Sequence, residues 1–156
     1  MIPAVLANRG PVFEKPQTRQ SEMQDEVAIL VVLANLESRR TVNKILEELS
    51  TQIISCSTLS EAEQILSVQR PTLIFCDERL PDGSYIDLLQ LKQSGRIPPL
   101  VVVLTRTGEW DLYMDATRRG AFDVIRSPWC PTDIELCVIR AVREEKYNIS
   151  KITRPA

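Results

Sequence analysis

Three short runs of apolar and β-prone residues limit what this chain can become: VAILVVL (residues 27–33), TLIFC (72–76) and LVVVL (100–104). A strand with one wet face alternates apolar and polar residues. A run with almost no polar position is buried on both faces, as in a parallel sheet covered by helices. Between these runs the pattern changes to helical periodicity. Residues 37–49 place Val42, Ile45, Leu46 and Leu49 at i, i+3, i+4 and i+7, on one apolar stripe. Thr58-x-x-Glu61 has the form of a capping box, opening a helix to about residue 68 with Leu59, Ala62, Ile65 and Leu66 inward. Ser84-x-x-Asp87 opens another, expected to reach about residue 94 and to stop at Gly95, Pro98 and Pro99. A fourth helix follows the loop 106–108 and ends at Gly120. A fifth opens at Thr132-x-x-Glu135 and runs to about residue 146, with Leu136, Ile139 and Val142 on its apolar face.

Two further strand segments, 51–56 and 122–125, complete a strand–helix unit repeated five times; the first is more polar and suits a sheet edge. Such alternation requires an α/β fold: a parallel sheet, right-handed crossovers and helices on both faces. The spacing suits a flavodoxin-like doubly wound five-stranded sheet, order 2-1-3-4-5.

Length and a hydrophobic content of 44% support one domain. Residues 1–25, with three prolines and no period, read as a flexible leader; 26–147 form the domain, and 148–156 a frayed tail. The few residues after the last helix are too short for a DNA-binding module. A net charge of -2 and a pI near 5.3 argue against nucleic-acid or anionic-membrane binding. No apolar run is long enough to span a bilayer, and no basic segment heads a signal peptide. The four cysteines (Cys56, Cys76, Cys130, Cys137) show no CxxC spacing, and there is no histidine. Zinc sites and histidine-based catalysis are thereby disfavoured, and the thiols suit a reducing cytoplasm. With five glycines, no Gly-rich phosphate loop and no nucleophile–base pair, the sequence also speaks against an enzyme or a small nucleotide- or flavin-binding α/β protein.

The segment PTLIFCDERLPDGS (residues 71–84) carries the candidate chemistry. Asp77 follows a buried strand, and Pro81-Asp82-Gly83 is strong turn chemistry. Asp77 is therefore expected at the carboxyl end of a central strand, where open α/β sheets place ligand sites. Glu78, Asp82, Arg79, Arg106 and Arg126 are the charged neighbours that could assist it.

PTLIFCDERLPDGSYIDLLQLK resembles the phosphoacceptor segment of bacterial response-regulator receiver domains, the chemotaxis-regulator fold. VVVLTRTGEWDLYMDATRRGAFDVIRSPW resembles the fourth strand through fifth strand of that family, and ILVVLANLESRR its first strand and loop. The resemblance spans roughly residues 26–146. It implies a phosphorelay signalling domain in which Asp77 is the phosphoacceptor and Thr105 contacts the phosphoryl oxygens. The family's Mg²⁺-holding acidic pair falls on Leu33 and Ala34, with Asn35 next. Its lysine falls on Ser127 and its switch aromatic on Val124. None of these four can play the family part, and Asn35 offers at best a neutral oxygen. The expectation is a degenerate, stand-alone receiver acting by protein–protein contact and requiring no cofactor. The alternative is a working phosphoacceptor, phosphorylated by a histidine kinase with Mg²⁺ held weakly by Asp77 and Asn35. Expected partners are a histidine kinase, another regulator or an output protein, docking on a face that Trp110, Tyr113 and Trp129 would mark. The resemblance also implies a cis Ser127–Pro128 bond, as for the family's Lys-Pro pair.

Overall fold

In the computed structural model, described over residues 27–49, 51–91 and 98–153, five parallel strands form one sheet. They are β1 (Ala28–Val32), β2 (Gln52–Cys56), β3 (Leu73–Asp77), β4 (Leu100–Thr105) and β5 (Asp123–Arg126). Five helices alternate with them: α1 (Leu36–Glu47), α2 (Leu59–Val68), α3 (Tyr85–Leu91), α4 (Trp110–Arg118) and α5 (Pro131–Thr153). The sheet order is β2-β1-β3-β4-β5, with every pairing parallel. This is the flavodoxin-like order 2-1-3-4-5 that the spacing suits. The leader assigned to residues 1–25 lies outside the described residues.

The apolar runs explain the layering. Along each central strand, successive side chains enter opposite layers. Ile29, Val31, Leu73, Phe75, Val102 and Leu104 pack under α1 and α5. Leu30, Val32, Ile74, Cys76, Val101 and Val103 pack under α2, α3 and α4. These side chains are at most 1% exposed, and each fully buried large one contributes about 1.5–3 kcal/mol. β2 is one of the two edge strands, with Gln52 and Ser55 exposed and Ile53 and Ile54 half-buried.

Helix ends follow the sequence with corrections. Thr58 Oγ1 accepts the Glu61 N–H, while Glu61 Oε1 accepts the Ser57 N–H and the Ser57 and Thr58 hydroxyls instead of the Thr58 N–H. Ser84 and Asp87 form a working cap: Ser84 Oγ accepts from Ile86 N–H and Asp87 Oδ2 from Ser84 N–H. The expected stop of α3 at residues 94–95 lies outside the described residues. Gly120, at φ 101, closes α4, with Gly120 N–H on Thr117 O and Ala121 N–H on Ala116 O.

α5 departs most from expectation. It starts at Pro131, so Thr132 lies inside its first turn, and it continues to Thr153 past the expected end near residue 146 and through the expected frayed tail. Its buried stripe is Ile134, Cys137, Val138 and Ala141, not Leu136 and Ile139, which are 49% and 46% exposed. The i, i+3, i+4, i+7 spacing is met by the first set once the small residues Cys and Ala are counted as core.

Candidate functional site

Asp77 stands at the carboxyl end of β3, between the β1–α1 and β4–α4 loops. Its carboxylate lines an open cavity of about 410 Å³ together with Ala34, Asn35, Glu78, Arg79, Arg106 and Thr107. Asp77 is half-buried, and Oδ2 accepts the Ala34 N–H at 2.9 Å. Burial pushes its carboxyl above the usual carboxylate value; the Ala34 N–H and the Arg106 charge oppose this, and Glu78 reinforces it.

The β1–α1 loop contributes no acid. Leu33 is wholly buried in the α1/α5 layer. Ala34 is exposed and meets Asp77 only through its backbone N–H. Asn35 caps α1: its Oδ1 accepts the Ser38 N–H at 2.9 Å, so that oxygen is committed to the helix. One turn on, Arg39 Nη1 donates to Leu33 O at 2.6 Å and Ala34 O at 3.1 Å, placing a fixed cation on this loop. An Arg one turn after a cap residue can fold back onto loop carbonyls; that spacing was the available sequence signal for it.

At the end of β4, Thr105 is 1% exposed. Its hydroxyl donates to Glu78 Oε1 at 2.9 Å and accepts the Thr107 N–H at 3.2 Å. Nothing in the sequence announces the Glu78 contact, which joins neighbouring strand ends.

The other predicted residues separate. Asp82 leaves the site. The hairpin of Arg79–Leu80 with Gly83–Ser84 aims it at the start of α2, where its carboxylate accepts Leu59 N–H at 2.8 Å and Ser60 N–H at 2.9 Å. Those two bonds hold its carboxyl below the usual value. Arg79 and Arg106 line the cavity. Arg126 instead lies over Gly108, where a Cβ would meet its Cδ at 1.9 Å; Gly108 also has φ 62. Ser127, before a cis bond to Pro128, donates its N–H to Thr105 O at 2.7 Å. Val124 is half-buried against the α2–α4 layer. Trp110 (70% exposed) and Tyr113 (38%) stack on α4 with centroids 5.5 Å apart. Trp129 is not with them: it packs on the α1/α5 layer, its Nε1 buried with no hydrogen-bond partner. Cys56, Cys76 and Cys137 are buried, which pushes their thiols up, Cys56 to about 11.

A family model described as the response regulator receiver domain matches residues 29–138. The chain belongs to that family. It is a receiver domain of two-component signalling, a class of signalling modules whose members interact with kinases or other regulators. The response regulator protein PilR of Pseudomonas aeruginosa is 35% identical over 47% of this chain and 17% of its own length. The transcriptional regulatory protein DpiA of Escherichia coli is 32% identical over 50% of this chain and 34% of its own. The chain thus spans 17% and 34% of the length of these curated relatives. The receiver domain of a LuxO repressor protein from Vibrio parahaemolyticus superposes with TM-score 0.75 at 22% identity, over 84% of this chain and 99% of that one. That likeness shows the receiver fold alone. Among the described residues, no helix is long and apolar enough to cross a membrane.

Receiver domains in general bind Mg²⁺ at the phosphorylation site. The residues here do not fit that ion. The resemblance places its acidic pair on a core leucine and an alanine; the neighbouring amide oxygen caps a helix, and Glu78 is turned to Thr105. Among the described residues, no cluster of three His, Cys, Asp or Glu could hold a metal. A hard dication that prefers carboxylate oxygens has little beyond Asp77 to bind.

Proposed function

We propose that this receiver domain signals through protein–protein contact with its phosphorylation site incomplete. The observation that carries the reading is the β1–α1 loop: Leu33 belongs to the core, and Ala34 offers Asp77 a backbone N–H instead of a carboxylate for a cation. Phosphoryl transfer is mainly positioning and charge neutralisation, so a carboxylate nucleophile without a bound dication meets an approaching phosphoryl group as one anion meets another. Partner contact is assigned to α4, where the stacked Trp110 and Tyr113 expose apolar surface. Kinases, other regulators and output proteins are the partner classes; the protein acts as a binding module without catalysis of its own.

A second reading has one observation in its favour. Arg79 and Arg106 line the Asp77 cavity, and Arg106 acts electrostatically on that carboxylate. Arginine is a good phosphate partner, so the pair could neutralise a phosphoryl group in place of the lysine missing at Ser127. Intact-mass analysis after incubation with acetyl phosphate and Mg²⁺ separates the two. The first reading expects no added phosphoryl mass on a folded chain. Uptake by the native chain and none by Asp77→Asn would replace it with the second.

A further inference from the structure

Glu78 reaches β4 twice. Its N–H donates to Leu104 O at 3.1 Å, and its carboxylate accepts the hydroxyl of buried Thr105 at 2.9 Å. Its carbonyl meanwhile accepts the Tyr85 N–H at the start of α3. Glu78 therefore sits on a backbone fixed from two sides, with its side chain aimed at the last residue of β4. A threonine hydroxyl has one proton to give and lone pairs to receive with. The carboxylate accepts this hydrogen bond, which turns a lone pair toward Thr107 N–H, 3.2 Å away, and leaves the Thr107 hydroxyl, also 3.2 Å away, as donor in the contact between the two threonine side chains. Thr107 lies in the loop that delivers Trp110 and Tyr113 into the start of α4, where Tyr113 N–H bonds Glu109 O.

We propose that Glu78 is a positioning residue: its carboxylate orients the Thr105 hydroxyl, and through it holds the β4–α4 loop and the exposed Trp110–Tyr113 pair in one setting without any added anion. This rests on the reading that α4 is the contact surface, and it supplies that surface with a fixed internal determinant. A bond to an ionised acceptor is roughly twice as strong as a neutral one, so this contact is the strong link of the chain. Without it the hydroxyl can rotate and the Thr107 N–H loses an oriented acceptor.

The test is residue-resolved amide hydrogen exchange on the full chain, with no phosphodonor present. The variants are Glu78→Ala, Glu78→Gln, Thr105→Val and the Glu78→Ala/Thr105→Val double. Glu78→Ala and Thr105→Val are each expected to speed exchange at Thr107 and Tyr113 by about tenfold or more. The double variant should exceed neither single, because both remove the same link. Glu78→Gln keeps an acceptor oxygen and should stay within about threefold of native. Protection in β1 reports that the fold is intact. Native rates at Thr107 and Tyr113 in Glu78→Ala would overturn the proposal, as would equal loosening by Ala and Gln. Should Glu78→Ala not fold, Thr105→Val loosening while Glu78→Gln does not would still support it, and unchanged rates in Thr105→Val would end it. Phosphoryl uptake at Asp77 would remove the function proposed above without touching this result, and rigid loops in every variant would do the reverse.

Discussion

Asp77 is a carboxylate at the mouth of an apolar strand, and two effects compete over it. Burial disfavours its charge, while the Ala34 N–H and Arg106 favour it; burial wins, so the folded pKa lies above the ordinary 3.8. Between those two values the native state binds more protons than the unfolded chain, so this group makes stability fall as pH rises through that window, with its full cost present above it. Asp77→Asn removes the charge and keeps an oxygen for the Ala34 N–H. The variant is expected to show a higher urea midpoint than native at pH 7, with the gain shrinking as pH is lowered toward 3.8. Equal midpoints at pH 7 would mean that the Ala34 bond and Arg106 match the cost of burial. The positions of Asp77 and Thr105 were legible because each ends an apolar run, and period-2 strands fix what stands at their ends. The roles of Glu78, Arg39 and Asn35 were not. Glu78 depends on two strand ends distant in sequence becoming neighbours. Asn35 and Arg39 act within their own loop, where spacing allows the contact but no periodicity encodes which way the side chain turns.

At the level of elements, α3 and α4 are tied by a polar link in the α2–α4 layer. The buried Tyr85 hydroxyl donates to Asp115, whose Oδ2 also accepts Arg119 Nε at 2.9 Å. Burial first, and then the Asp115 contact, push the Tyr85 phenol up to about 12. Tyr85→Phe keeps the ring in its packing and deletes only the link, at an expected cost of about 1–2 kcal/mol in urea unfolding. A loss well below that would mean that solvent replaces the phenol at Asp115. Helix existence was legible throughout, since apolar stripes at 3.6 spacing mark α1 and α2 clearly. α5 was misread in phase because Leu136 and Ile139 were weighted by hydrophobicity, whereas the layer beneath has room for Cys137 and Ala141. The Arg79–Leu80/Gly83–Ser84 hairpin is too short to leave a strand pattern, and so the path of Asp82 to α2 was hidden as well.

For the whole molecule, the same β1 end serves two demands that can be pulled apart. In this chain Leu33 is wholly buried and packs in the core, while the exposed Ala34 contributes to the cavity without supporting the core. A carboxylate at Ala34 would project from a residue whose N–H already touches Asp77, and a lysine at Ser127 would extend from the strand end whose N–H bonds Thr105 O. Both changes introduce charges at positions where the resemblance places the receiver family's acid and lysine. Ala34→Asp alone brings a second anion beside Asp77, so it should lower stability at pH 7 and recover part of the loss when Mg²⁺ is added. Ala34→Asp with Ser127→Lys is expected to gain one phosphoryl mass from acetyl phosphate and Mg²⁺ under conditions where the native chain gains none. The gain should vanish when Asp77→Asn is added. Leu33→Asp, by contrast, puts a charge where a core leucine packs in the α1/α5 layer and should lower the urea midpoint at neutral pH more than Ala34→Asp does. If the double variant folds and takes up nothing, those two charges do not suffice for uptake, and Glu78→Ala added to it tests whether the Glu78–Thr105 contact withholds the hydroxyl from a phosphoryl oxygen.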